Sequence, residues 1–159
     1  MKQTLLALVA LAICLVAPTL MKADASALVG TWKLNVAKST FSGATAPKNM
    51  TRTITADGDN VTYSFDCVAA DGSPLKYSFT VKYDGKDYAI TGTGPNGSDH
   101  INLKQVNSHM TQGTLKIGDK VVATVHTTVS HDGKTTTVNS KGTDKDGKPL
   151  KQNQVYDKQ

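Results

Sequence analysis

Polar and apolar residues alternate with a period of two along most of this chain. Trp32, Leu34 and Val36 interleave with Thr31, Lys33 and Asn35, and Leu75, Tyr77, Phe79, Val81 and Tyr83 interleave with Lys76, Ser78, Thr80 and Lys82. Val121, Ala123, Val125 and Val129 show the same register, more weakly, against Val122, Thr124, His126, Thr128 and Ser130. Such a period puts one set of side chains on each face of a strand, and no stretch after the N-terminal segment sustains the 3.6-residue apolar period of a helix. Runs such as Thr135-Thr136-Thr137-Val138 add β-branched residues that suit a pleated surface.

Turn signals separate these runs. Asp-Gly occurs at 57–58, 71–72, 84–85, 132–133 and 146–147, and Gly118-Asp119 is the reverse pair. Both residues tolerate the left-handed backbone that tight hairpins need. About ten strands are expected, near 30–37, 50–56, 60–69, 75–83, 86–91, 99–106, 109–117, 120–130, 134–142 and 152–157, joined in sequence as an antiparallel meander. Lys38 to Lys48 (KSTFSGATAPK) is the exception, a loop with one helical turn near Ser39 to Ser42 that crosses the end of the sheet with Phe41 as an apolar plug. Strands with one oily and one polar face demand a sandwich or a closed barrel. A meander of this length favours an up-and-down barrel of about 8–10 strands, because closure removes exposed edges.

The N-terminus does not belong to that sheet. Lys2 precedes the apolar run Leu5 to Val16, Pro18 ends it, and Ala23-Asp24-Ala25 has the A-x-A form of a cleavage site. Residues 1–25 are therefore expected to be a signal peptide, with a cut after Ala27 as the alternative, and 26–159 a single β-barrel domain. The apolar run is shorter than the roughly 20 residues that span a bilayer, so the mature chain is expected to be exported, periplasmic or secreted, without an integral membrane segment.

Charge narrows the partners. The chain carries a formal +5 at pH 7, falling to +4 without the leader, with no Glu and one arginine, Arg52. The lysines are scattered and lack the aromatic-and-arginine stripe of a nucleic-acid surface, so no nucleic-acid partner is expected. Once Cys14 leaves with the leader, Cys67 stands alone. Its face, shared with Val61, Tyr63, Phe65 and Ala69, makes it a small buried apolar group rather than half of an intermolecular disulfide.

The segment Gly30-Thr31-Trp32 resembles the G-x-W signature on the first strand of lipocalins. Gly30-Thr31-Trp32-Lys33-Leu34 is similar to the start of fatty-acid-binding proteins, which are related calycin barrels. GTWKLN-x-x-KS-x-F also resembles the opening of small exported bacterial lipocalin-like proteins, a likeness that runs over nearly the whole mature chain and supplies no function. At the other end, Gln154-Val155-Tyr156 is similar to the last-strand R-x-Y of fatty-acid-binding proteins, whose pair reaches a ligand carboxylate. Tyr156 matches that tyrosine, while Gln154 places a neutral amide where the arginine stands. The resemblance therefore does not imply capture of a free fatty-acid anion. It makes Trp32 the closure of one barrel end. The late arginine that packs on the lipocalin tryptophan has no counterpart here, since Arg52 lies early in the chain.

The apolar faces offer a ligand-binding lining of Tyr63, Phe65, Tyr77, Phe79, Val81 and Val125, joined by Gln154 and Tyr156 from the last strand. Alternation does not distinguish a lined lumen from one filled by these side chains. His100, His109, His126 and His131 show no metal-ligand spacing, so no metal is expected. Asp144-Lys145-Asp146-Gly147 lacks the closing Glu of a calcium loop. Gly92-Thr93-Gly94-Pro95-Asn96-Gly97 precedes no helix pattern and is expected to be a rim loop rather than a phosphate cradle. No nucleophile motif or carboxylate pair points to catalysis, and no cofactor is implied. The sequence thus predicts non-covalent binding of a small, largely apolar molecule. The alternative is an interaction or inhibitor module that presents 38–48 and 92–99 to a protein partner.

Overall fold

A computed structural model of the chain describes residues 27–144 and 146–159; the expected leader, residues 1–25, lies outside them. Twelve strands form one antiparallel sheet. In chain order they are β1 (Gly30–Leu34), β2 (Thr40–Ser42), β3 (Asn49–Asp57), β4 (Asn60–Val68), β5 (Pro74–Val81), β6 (Asp84–Ala89), β7 (Thr91–Gly92), β8 (His100–Asn107), β9 (Met110–Ile117), β10 (Lys120–Val129), β11 (Thr135–Thr143) and β12 (Pro149–Lys158). Each expected strand is present within a few residues. All five glycines of the Asp-Gly pairs carry positive φ; Gly58, Gly72, Gly133 and Gly147 turn hairpins between paired strands, whereas Asp84-Gly85, expected to be a turn, lies inside β6 where the register with β8 shifts.

Neighbouring strands run in the order β6-β8-β9-β10-β11-β12-β1-β3-β4-β5-β7, with β2 added to β12. The first strand of the path and the last come from one stretch, 84–92, which pairs with β8 at its start and with β5 at its end. That stretch bends the sheet into a ring. The result is an all-β, calycin-like meander barrel, as expected. Closure on the β5 side rests on two residue pairs, Tyr77 with Gly92 and Ser78 with Thr91. Gly92 is needed there: its φ is +89°, and a Cβ would lie 2.4 Å from the Lys76 carbonyl oxygen.

Two expectations are corrected. The segment after β1 does not turn helical at 39–42. A 3₁₀ turn covers Val36–Lys38, where the Asn35 side chain accepts from the Lys38 amide, and Thr40–Ser42 is a strand paired with Asn153 to Lys151. Val121 does not share the inward face of Ala123. The β9–β10 register shifts between Val121 and Ala123, so that Val122 and Ala123 are both buried and Val121 is exposed. A bulge inverts the parity of what precedes it, and alternation alone cannot show it.

One end of the barrel is packed solid. Trp32 and Ile54 are fully sealed, Val61, Val81 and Leu28 lie in the same cluster, and the Trp32 indole Nε1 donates to the Leu28 carbonyl at 2.8 Å. Trp32 therefore closes this end and satisfies its own polar atom locally. The opposite end carries β2 and the β4–β5, β7–β8, β9–β10 and β11–β12 connections.

Candidate functional site

Above the closed end the barrel is hollow. A cavity of about 280 Å³ opens between β2, the β4–β5 turn and the 95–96 turn. An engineered apolar cavity of about 150 Å³ takes up benzene, so this space is sufficient for a small molecule.

Its first wall is an aromatic ladder set by strand register. Tyr63 lies opposite Phe79 and Phe65 opposite Tyr77 across the β4–β5 pair. The rings stack at centroid distances of 4.8 and 4.3 Å, and Phe65 tilts onto Phe79 at 5.9 Å. Directly opposed aromatic pairs of this kind stabilise a sheet while presenting an apolar surface. The facing wall comes from Leu103, Leu115, Val125 and Val138, with Thr127 and Ser140 as polar tips. Phe41 from β2 sits at the mouth, the place expected of it, though on a strand rather than in a loop.

Of the expected lining, Tyr63, Phe65, Tyr77, Phe79, Val125, Gln154 and Tyr156 all border the cavity. Val81 does not. It is fully buried opposite Val61, below the cavity floor, because the alternation that placed it on the inner face says nothing of its depth along the barrel.

Arg52 also faces this cavity, although it was not among the expected lining. It is 3% exposed, lines the cavity, and lies directly opposite Trp32 across the β1–β3 pair. Its Cζ is 4.5 Å from the Tyr156 ring centroid and 5.9 Å from that of Trp32. An arginine does therefore pack on the tryptophan, from β3 rather than from a late strand. The signal was in the sequence: Met50, Arg52 and Ile54 share one parity, and both aliphatic neighbours face inward.

Hydrogen bonding orders the rest of this region. Nη2 of Arg52 donates to Thr136 Oγ1 at 2.5 Å, and the Arg52 Nε is buried without an acceptor. The Tyr156 hydroxyl lies 2.8 Å from Gln154 Oε1 and 3.0 Å from Met50 Sδ, and Gln154 Nε2 donates to Gln152 Oε1. Tyr63 and Tyr83 share a hydroxyl pair at 2.6 Å. Burial raises the phenols of Tyr63 and Tyr77 and carries Tyr156 to about 12, against the opposing pull of Arg52. The Cys67 thiol, also on the wall, is raised by burial and by Asp66.

The histidines stand apart from the cavity wall. His109 and His131 approach each other, rings 5.3 Å apart, on neighbouring turns at the closed end. Among the described residues no three His, Cys, Asp or Glu side chains gather as a metal site. Asp144 accepts from the backbone N–H groups of Asp146 and Lys148 and shapes a turn. The expected rim loop holds a short 3₁₀ turn, Pro95–Gly97, with Asn96 at φ 56°, and both Pro95 and Asn96 reach the cavity mouth. No helix among the described residues is long and apolar enough to cross a membrane.

No family model matches the sequence, and no curated protein matches it. Among solved structures, zebrafish ileal bile acid-binding protein complexed with cholic acid aligns with a TM-score of 0.51 at 14% identity, over 84% of this chain and 100% of that one. Rv2717c from M. tuberculosis aligns with a TM-score of 0.54 at 16% identity, over 84% and 94%. At these identities the likeness is one of fold.

Proposed function

We propose that this chain is an exported binding protein that holds a small, largely apolar molecule non-covalently in its barrel. The observation that carries the reading is the open space itself, about 280 Å³ walled mainly by aromatic and aliphatic side chains with a few polar tips. The bile-acid complex of a similarly folded barrel is in keeping with it. So is the state of the ionisable groups on the wall, since burial moves the tyrosines and Cys67 upward, away from the range in which a general base works at neutral pH. The interaction-module alternative called for a filled interior and apolar exposure on 38–48 and 92–99. The large exposed apolar residues among those described are Val36, Val106, Ile117 and Val121, outside both segments.

Titration of the purified protein with a neutral environment-sensitive dye should give saturable binding at micromolar concentrations, displaced by a long-chain alcohol. Flat titrations across several ligand chemistries would sink the proposal. Intact-mass measurement of the exported protein should show the loss of residues 1–25, and native mass spectrometry of the same material should reveal any co-purifying molecule.

A further inference from the structure

His109 and His131 meet across two turns that the backbone fastens together. The His109 carbonyl accepts from the Val129 amide at 2.8 Å, which ties the β8–β9 turn to the end of β10, and His131 follows two residues later. Both turns are braced from within. The His109 amide donates to Asn107 Oδ1 at 2.9 Å. Beyond Val129, the Ser130 amide donates to the Thr135 carbonyl, the Gly133 amide to the Ser130 carbonyl and the Ser130 hydroxyl to Asp132 Oδ1. The two rings therefore stand on firm supports, 5.3 Å apart and tilted at 47°, with His131 exposed and His109 half-buried.

That separation suits a shared ion. With metal–nitrogen bonds of about 2.0–2.1 Å, an imidazole centre stands roughly 3.2 Å from the ion it ligates. Two centres 5.3 Å apart then subtend roughly 110° at the ion, the tetrahedral angle that zinc takes. The tautomer fits as well. Ser108 Oγ lies 3.0 Å from His109 Nδ1. A hydroxyl can accept, so this contact admits the form that carries its proton on Nδ1 and leaves the Nε2 lone pair for a ligand. An imidazole whose other nitrogen donates to an oxygen is the usual arrangement at metal sites. Asp132, held ionised by the Ser130 hydroxyl and the Lys134 amide, brings a negative charge to the His131 turn, and Lys134 brings a positive one.

We propose that His109 and His131 form a two-imidazole site for a divalent transition-metal ion such as zinc, whose remaining positions are filled by water. Two protein ligands, rather than the three or four of catalytic and structural zinc, make it a weak, exchangeable site. It lies outside the cavity and does not depend on the cavity-binding reading. It revises the expectation of no metal, which rested on spacing along the chain, because the fold joins two histidines that the sequence keeps far apart.

The test titrates zinc chloride into the purified protein at neutral pH while the imidazole Cε1–H signals are followed by NMR, with calcium chloride as control. The His109 and His131 signals should move together and saturate at one equivalent, and those of His100 and His126 should stay in place. Calcium, which takes oxygen ligands, should move none of them. His131→Ala, at an exposed position, should weaken zinc binding at least about tenfold, the least that losing even an outer partner costs at a metal site. His109→Ala should do the same, and the double variant should be little worse than either, because one imidazole alone cannot chelate. Zinc binding that survives His131→Ala would place the ion elsewhere and overturn the site. So would four imidazole signals that drift alike without saturating, or an equal response to calcium, either of which leaves an aromatic contact only.

Discussion

Replacing Val125 with phenylalanine separates a hollow barrel from a filled one by the sign of a stability change. Val125 borders the cavity, and its cross-strand partners are small, Gly113 on β9 and Ser140 on β11. Phenylalanine adds four carbons. At about 0.8 kcal/mol for each newly buried carbon the ceiling is about 3 kcal/mol. Incomplete burial of the ring in a cavity that opens to solvent and the fixing of an extra torsion reduce this to an expected gain of about 0.5–2 kcal/mol, the usual range for filling a cavity. For a domain of this size that corresponds to a melting temperature higher by a few degrees. The ring would also take space from the ligand, so decanol affinity should fall at least about tenfold, or 1.4 kcal/mol. Urea unfolding followed by circular dichroism reads the first quantity and calorimetry the second. In a filled interior the same change would overpack the core and cost about 1–3 kcal/mol. Destabilisation of that size with unchanged binding would refute the lumen.

Other consequences can be checked separately. Trp32→Phe removes the indole N–H and leaves the Leu28 carbonyl buried without a donor, so it should cost about 2–4 kcal/mol in urea unfolding. Cys67 should react slowly with a disulfide reagent at pH 8, because burial raises its thiol. Asp84, Asp87, Asp99, Asp132 and Asp157 are all held below the usual carboxylate range by hydrogen bonds from neighbouring side chains and amides. A depressed folded value stabilises the fold above the unfolded pKa of about 3.9 and ceases to do so as pH falls through it. Stability should therefore be level through neutral pH and decline below about pH 4; a decline that sets in well above pH 5 would refute the assignment to these carboxylates.

The strands were readable because parity and turn chemistry are local properties. Asp-Gly at 57–58 or 132–133 fixes a hairpin whatever surrounds it, and Tyr63, Phe65, Tyr77 and Phe79 declare their face within their own strands. Features that depend on three dimensions were hidden. Val81 and Phe79 share a parity, and depth along the barrel separates core from cavity wall. The bulge that turns Val121 outward leaves no mark in a run of valines. β2 was hidden because Thr40–Ser42 gains its partner from a strand more than a hundred residues later. Arg52 is the instructive omission. A charged residue on the inner parity of a strand reads as surface when the chain is scanned for oily positions, although its placement between Met50 and Ile54 marks it as enclosed.

The two-pair join between β5 and β7 bears on how this molecule breathes. Elsewhere β3 and β4 are zipped over nine residue pairs and β11 and β12 over nine, so a fluctuation there must break many ladder bonds together. At Tyr77–Gly92 and Ser78–Thr91 only a short clasp separates a cylinder from a curled ribbon. Amide deuteration should run fastest on either side of that clasp, and a staple across it would tie the ribbon shut without touching the lumen.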